Sequence, residues 1–424
     1  VTAEDFILGL KRCADPKISS PLAWAFLSGH IVGLDQWRKD SRSCQPGDFS
    51  RYDRPVAGLD APDDLTLKIT LTGPFPQLTD VLARSVYAPI PREAVDYWLT
   101  TEDDGQGGRW PVSPQRCATE FSDHRQLVGT GPYLMPVFER KHRIVFVRNP
   151  EYREDYYPSE GGPGDREAGL LDDAGKRVPL IDKLQLDFVA ESYPAWMRFL
   201  YGQTDISSIP PEAYDSVITP GRDLAETWRR QGIELLKYDS PSMSWLVFNM
   251  SDPVLGKSKS LRQALCMGFD ANSQIRVLMN GRGLPPTSIL PRSIPGWAEA
   301  GPGPYFRYDP NAAAASLAAA KVELAAVGLL DADGQIPPIK MDLGSTGQNT
   351  RRFGEFARQQ YAKLGLRLDV RYCDFPVLQT KMHNKQYQCC QAGWHSDYPG
   401  AENFLQLFYS PNIAKGTNES DYSN

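Results

Sequence analysis

The sequence predicts an α/β protein built from two or three domains, and three observations lead to that class. The chain has 424 residues, about three times the ~150 residues of a typical domain. Stretches with period-two apolar alternation interleave with stretches of helical spacing, most regularly between Ile339 and Ala392, which is the pattern of an α/β layer with ligands near its strand ends. Gly and Pro supply 35 residues each, well above the ~12% usual for the two together. Many turns and long surface connections are therefore expected, rather than a helical bundle.

The first helix opens at Thr2, with Asp5 three residues on and Phe6, Ile7 and Leu10 behind it, and runs to Asp15-Pro16. Leu65, Leu67, Ile69 and Leu71 alternate with Thr66, Lys68 and Thr70, a half-buried strand stopped by Gly73-Pro74, with a helix over 78–85 after it. Residues 101–125 are polar and Gly-rich and read as one long surface loop. The apolar run Ile144-Val145-Phe146-Val147 ends at Asn149-Pro150 and predicts the second strand of a hairpin. Residues 158–177, rich in Gly, Asp and Glu, form an exposed excursion before strand alternation resumes over 181–189. A helix over 193–202 carries Trp196, Phe199 and Leu200 on one face.

A buried strand over 244–250 leads into a single long amphipathic helix over 261–279, and a lobe boundary is expected near here. Asp309 is an N-cap, Pro310 takes the first helical position, and Gly328 ends the Ala-rich helix that follows. The remainder alternates: strand 339–343, helix 351–364 stopped by Gly365, strand 366–372, helix 375–384 and strand 387–392.

Charge and motifs exclude several functions. A net charge of −6 supplies no global field for phosphate backbones, so no nucleic-acid partner is expected. The most apolar stretches fall short of the ~18 uninterrupted apolar residues of a membrane span. The seven cysteines form no CxxC pair and the five histidines no HExxH, so no metal ligand set and no cofactor is read, and Cys389-Cys390 are expected to pack as small apolar residues. No GxSxG elbow, Walker loop or complete GxGxxG is present. No catalytic residue is assigned. One segment stands out, GWHSDYPGAENFLQLF, in which Trp394, Tyr398, Phe404 and Phe408 surround Asp397 directly after a predicted buried strand. It is either a pocket mouth or an aromatic core edge with Asp397 capping a turn.

Several phrases in order resemble the family 5 extracellular solute-binding proteins, the oligopeptide and dipeptide receptors of ABC importers. They are VTAEDFILGLKR at the start, PIPRE at 89–93, VGTGPYLMP followed by VRNPEYR, FLYGQTDIS, WLVFNM, LRQALCMGFD, YDPNAAAASL and AGWHSDYPGAENFL. The resemblance implies a bilobed periplasmic-binding-protein-like fold of type II with the extra lobe of the peptide-binding cluster. Residues 1–126 are similar to the extra lobe, 127–239 to the first ligand-binding lobe and 240–424 to the second. By that comparison the chain is expected to be truncated at both ends, leaving the extra and first lobes partial.

The resemblance also implies site residues. Asp397 holds the position of the acid that pairs with a ligand's α-ammonium, Trp394 forms a wall, and Trp245 matches an aromatic pocket position. Gln391 stands where some peptide receptors place an arginine, and Tyr398 completes the segment. The expected function is an extracytoplasmic, periplasmic or extracellular, substrate-binding protein that captures peptides or another amine-bearing solute and delivers it to ABC transporter permease subunits. It would act as a monomer, with any membrane anchor carried by a segment outside these residues. An oligosaccharide or other neutral-solute receptor of the same fold is the alternative, and a hydrolase pairing Asp397 with Glu402 is a distant third.

Overall fold

The structure, a computed structural model, describes residues 1–18, 20–413 and 416–423. The chain divides into two compact units, Val1–Val189 and Ala190–Asn424. Among the described residues no helix is long and apolar enough to cross a membrane.

In the first unit, α1 (Ala3–Ala14) begins at its expected cap, where the Thr2 N–H donates to the Asp5 carboxylate at 2.7 Å. Past its end, the fully buried Asp15 accepts from Arg51 Nε at 2.7 Å and from the Tyr52 hydroxyl at 2.5 Å. The remaining guanidinium nitrogens donate to the carbonyls of Gln45, Pro46 and Asp48. A charge pair survives burial when its donors are met in this way. Helices α2 (Pro21–Leu27) and α3 (Leu34–Ser41) follow, then the antiparallel hairpin of β1 (Leu59–Asp63) and β2 (Thr66–Ile69). Leu65, expected inside that strand, is 91% exposed, because the chain turns there and its N–H is taken by the Asp63 carboxylate. Helix α4 (Leu78–Leu82) is shorter than expected and gives way to a 3-10 turn at Ser85–Tyr87 before α5 (Arg92–Leu99). The stretch expected to be a loop contains a hairpin, β3 (Thr101–Asp103) with β4 (Arg109–Pro111). Residues 104–108 connect the two strands, the Asp103 and Asp104 carboxylates accepting the N–H groups of Gly105 and Gln106. The unit closes with a three-stranded antiparallel sheet in the order β5 (Tyr133–Glu139), β6 (Arg143–Arg148), β7 (Lys183–Asp187).

The second unit begins with α6 (Ser192–Leu200), α7 (Tyr214–Val217) and α8 (Glu226–Arg229), around a core of Trp196, Val217, Ile218 and Leu224. Then come β8 (Ser242–Phe248), α9 (Lys259–Met267), α10 (Ala271–Leu278), α11 (Trp297–Ala300), α12 (Pro310–Ala325), β9 (Ile339–Leu343), α13 (Gln348–Ala362), β10 (Leu368–Tyr372), α14 (Phe375–His383), β11 (Cys389–His395) and α15 (Glu402–Leu405). The sheet order is β10-β9-β11-β8, parallel except for β8, which pairs antiparallel with β11. The single long helix expected over 261–279 is two, because α9 stops at Gly268 and the Asp270 carboxylate caps α10 by accepting the Ser273 N–H at 2.9 Å.

One face of this sheet packs on α9, α12 and α13 through Leu261, Leu265, Leu324, Met341, Leu343 and Ala357. Gly354 lets α13 approach closely: a Cβ there would come within 2.5 Å of the Tyr372 hydroxyl. The other face packs on α14 through Val247, Leu378, Met382 and Cys390. Cys389 and Cys390 are both buried, one on each face, as small apolar residues.

Candidate functional site

Strand β11 places the residues singled out in the sequence. It pairs with β8 along its whole length, from Cys389 opposite Phe248 to His395 opposite Ser242. Side chains alternate along a strand, so Gln391, opposite Leu246, shares the face that packs on α9 and α13. Trp245 lies opposite Ala392 on the other face, against the α14 core. Trp394, opposite Met243, is on that same second face and packs on Leu290, Ile294 and Phe404. The structure therefore gathers Trp245, Trp394 and the segment after β11 to one side of the sheet, and sets Gln391 on the other.

The segment after β11 is organised by Asn403, whose side chain is fully buried. Its amide oxygen accepts from Trp394 Nε1 at 2.7 Å and from the Asp397 backbone N–H at 3.1 Å. Its amide nitrogen donates to the Asp397 carboxylate at 3.3 Å. One buried amide thus fixes both the indole and the acid. Tyr398 is only 7% exposed; burial, reinforced by the nearby Glu402 carboxylate, holds its phenol well above the ordinary value, so it stays protonated. The Trp245 ring lies 6.1 Å from that of Phe408, and its indole N–H is buried with no acceptor among the described residues.

On the opposite face, Gln391 lines a pocket of about 520 Å³. Its walls come from α10 (Gln274, Leu278), the turn after it (Met279, Arg282), the first turns of α13 (Asn349, Thr350, Phe353) and the segment Ser208–Pro211. Two consecutive residues in the left-handed region, Asn280 (φ 50°) and Gly281 (φ 73°), reverse the chain after α10. Arg282 follows that reversal, its Nη1 donating to the Ile209 carbonyl at 2.9 Å. Among the described residues no group of three or more His, Cys, Asp or Glu is placed to hold a metal ion.

The family profile described as "Bacterial extracellular solute-binding proteins, family 5 Middle" matches residues 1–416. The chain belongs to that family. As a family 5 protein it is 22% identical over 428 residues to the oligopeptide-binding protein OppA of Bacillus subtilis, covering 100% of this chain and 66% of that relative. It is 23% identical over 429 residues to the periplasmic murein peptide-binding protein MppA of Escherichia coli, covering 99% of this chain and 66% of the relative. The chain thus spans just under two thirds of the length of these curated relatives. Among solved structures, OppA of Burkholderia pseudomallei superimposes with a TM-score of 0.72 at 19% identity, covering 100% of this chain and 70% of that one. OppA of Haemophilus influenzae in complex with RPPGFSPFR gives 0.71 at 19%, with the same coverage. These likenesses establish the periplasmic-binding-protein fold of this family 5 chain.

Two residues of these sites were missed by the sequence reading. Asn403 sits between an acid and an apolar pair with no mark of its burial. Arg282 lies between Gly281 and Gly283, with nothing in its neighbours to mark the contact it makes.

Proposed function

We propose that this chain is the substrate-binding component of an ABC importer, acting outside the cytoplasm as a monomer and taking up peptides or another amine-bearing solute. It would bind without catalysis or cofactor, close around the solute between lobes formed by residues 127–239 and 240–424, with 1–126 as the extra lobe, and present the closed form to the permease. Membership in family 5 and the peptide-binding names of its relatives support this reading. The single observation that carries it is the Asp397 carboxylate fixed beside the Trp394 indole through Asn403. An ammonium enclosed by protein loses its hydration and needs an ionised acid held in place, with an aromatic wall to exclude water.

The test is to identify what the purified protein retains, by native mass spectrometry followed by denaturation, and then to measure affinity for it in the wild type and in Asp397→Asn. Breaking one side of a desolvated charge pair costs about 3–5 kcal/mol, so affinity should fall roughly a hundredfold or more. The melting temperature of the empty protein should barely change. Equal affinity in both proteins would remove Asp397 from the site.

A further inference from the structure

We propose that the tip of the β5–β6 hairpin docks on the phosphate headgroups of an anionic lipid bilayer through Arg140 and Lys141, and so sets which end of this sheet faces a membrane. This goes beyond the solute-binding reading, and its test uses no solute.

Residues 140–143 are Arg, Lys, His and Arg in succession, in a chain whose net charge is −6. The turn is closed by the His142 N–H, which donates to the Glu139 carbonyl at 2.9 Å. Glu139 is the one acid in this turn, and its carboxylate is taken by its neighbours: His142 Nδ1 lies 2.5 Å from it and Arg143 Nη2 donates to it at 3.1 Å. Arg140 and Lys141 are exposed. Neither has a carboxylate within ion-pair distance among the described residues.

Lys141 holds the third position of the turn at φ 61°. That left-handed conformation suits glycine or asparagine and strains a lysine. Local preference does not explain a lysine there, whereas a partner for its charge does. Phe138, two residues before Arg140, is 45% exposed. An aromatic ring beside cations matches the layer where headgroup phosphates overlie acyl chains; an acidic protein face would call only for the charges.

Charge is also unequal along the sheet. Antiparallel pairing puts the β6–β7 connection at the other end of these strands, and its stretch 158–177 carries five acids against three bases. A negative surface attracts the hairpin tip and repels that connection, which orients approach before contact. Two free cations give weak, salt-sensitive adhesion rather than an anchor.

The experiment is co-sedimentation of the full chain with phosphatidylcholine vesicles, with and without phosphatidylglycerol, for wild type, Lys141→Gly and the double variant Arg140→Gln/Lys141→Gln. Wild type should bind only the vesicles that contain phosphatidylglycerol, and raising the salt to physiological strength should weaken that binding. Each cation near such a surface contributes about fivefold in affinity, so Lys141→Gly should lose about fivefold and the double variant about thirtyfold. Because glycine relieves the turn, Lys141→Gly should melt no lower than wild type, which separates lost charge from lost fold. Hydrogen exchange should show protection of residues 138–143 when charged vesicles are added. No binding to phosphatidylglycerol vesicles, equal binding by all three proteins, equal capture by neutral vesicles, or protection confined to other segments overturns the proposal. A wild type that retains solute but ignores charged vesicles overturns this inference alone.

Discussion

Asn403 satisfies three groups with one side chain: the Trp394 indole N–H, the Asp397 backbone N–H and the Asp397 carboxylate. Truncation to alanine would leave a buried amide-sized gap and orphan two donors, each worth about 1–3 kcal/mol when left unpaired. Asn403→Ala should therefore lower stability by about 2–4 kcal/mol, with a shift in tryptophan emission as Trp394 loses its partner, both followed through thermal and denaturant unfolding. An unchanged unfolding midpoint would show that the indole is held by packing alone. Asp397 and Trp394 could be singled out as candidates in the sequence because an acid among aromatics after a predicted buried strand is an unusual composition. Asn403 and Arg282 were not, since what makes each important is a contact fixed by folding: Arg282 reaches a carbonyl 73 positions away. Local composition carries no trace of such a partner.

Elements were legible where local chemistry and tertiary packing agree. The Ala-rich helix α12 starts at Asp309, whose carboxylate accepts the Ala312 N–H at 2.9 Å, and the left-handed Gly328 lies beyond its end, both as read. The break between α9 and α10 was missed although Gly268 and Asp270 are a stop and a start, because the apolar period runs across both. Parity was also available: Gln391 and Trp394 are an odd number of positions apart, which in a strand means opposite faces. Beside the apolar core shared by α9 and α12, Glu323 ties α12 to the head of α9. It accepts from the hydroxyl of Ser258 at 2.6 Å and of Ser260 at 2.5 Å, while the Ser258 Oγ also accepts the Leu261 N–H at the head of α9. Those two hydroxyls hold the Glu323 carboxyl below its usual value. A depressed folded pKa gives stability that is fully present above the unfolded value and is lost as pH falls from there through the folded one. Glu323→Gln should therefore be less stable than wild type by about 1 kcal/mol near neutral pH, with the gap closing as denaturation is repeated from pH 5 downward. A gap that stays constant with pH would mean that the ion makes no contribution beyond shape.

At the scale of the whole molecule, each unit carries its own core. Ile7, Leu10, Leu27, Leu34 and Leu99 are buried within Val1–Val189, and the clusters around Leu261, Trp196, Val247 and Phe404 all lie within Ala190–Asn424. The α/β class was legible from the alternation over 339–392 because that stretch builds one sheet with its covering helices. A division of the chain after Val189 was not, since it depends on which segments fold against one another over long sequence separations. Separate cores predict separable unfolding, so scanning calorimetry of the full chain should yield more than one cooperative transition. Both candidate clusters, Asp397 with Trp394 and Arg282 with Gln391, belong to Ala190–Asn424. A solute at a hundred times its dissociation constant adds about 2.7 kcal/mol to whatever it binds, which for a unit of this size is about 5–10 °C. That shift should appear in the transition assigned to Ala190–Asn424 by hydrogen exchange. A shift confined to the transition of Val1–Val189 would remove both clusters from binding and send the search for the site to the first unit.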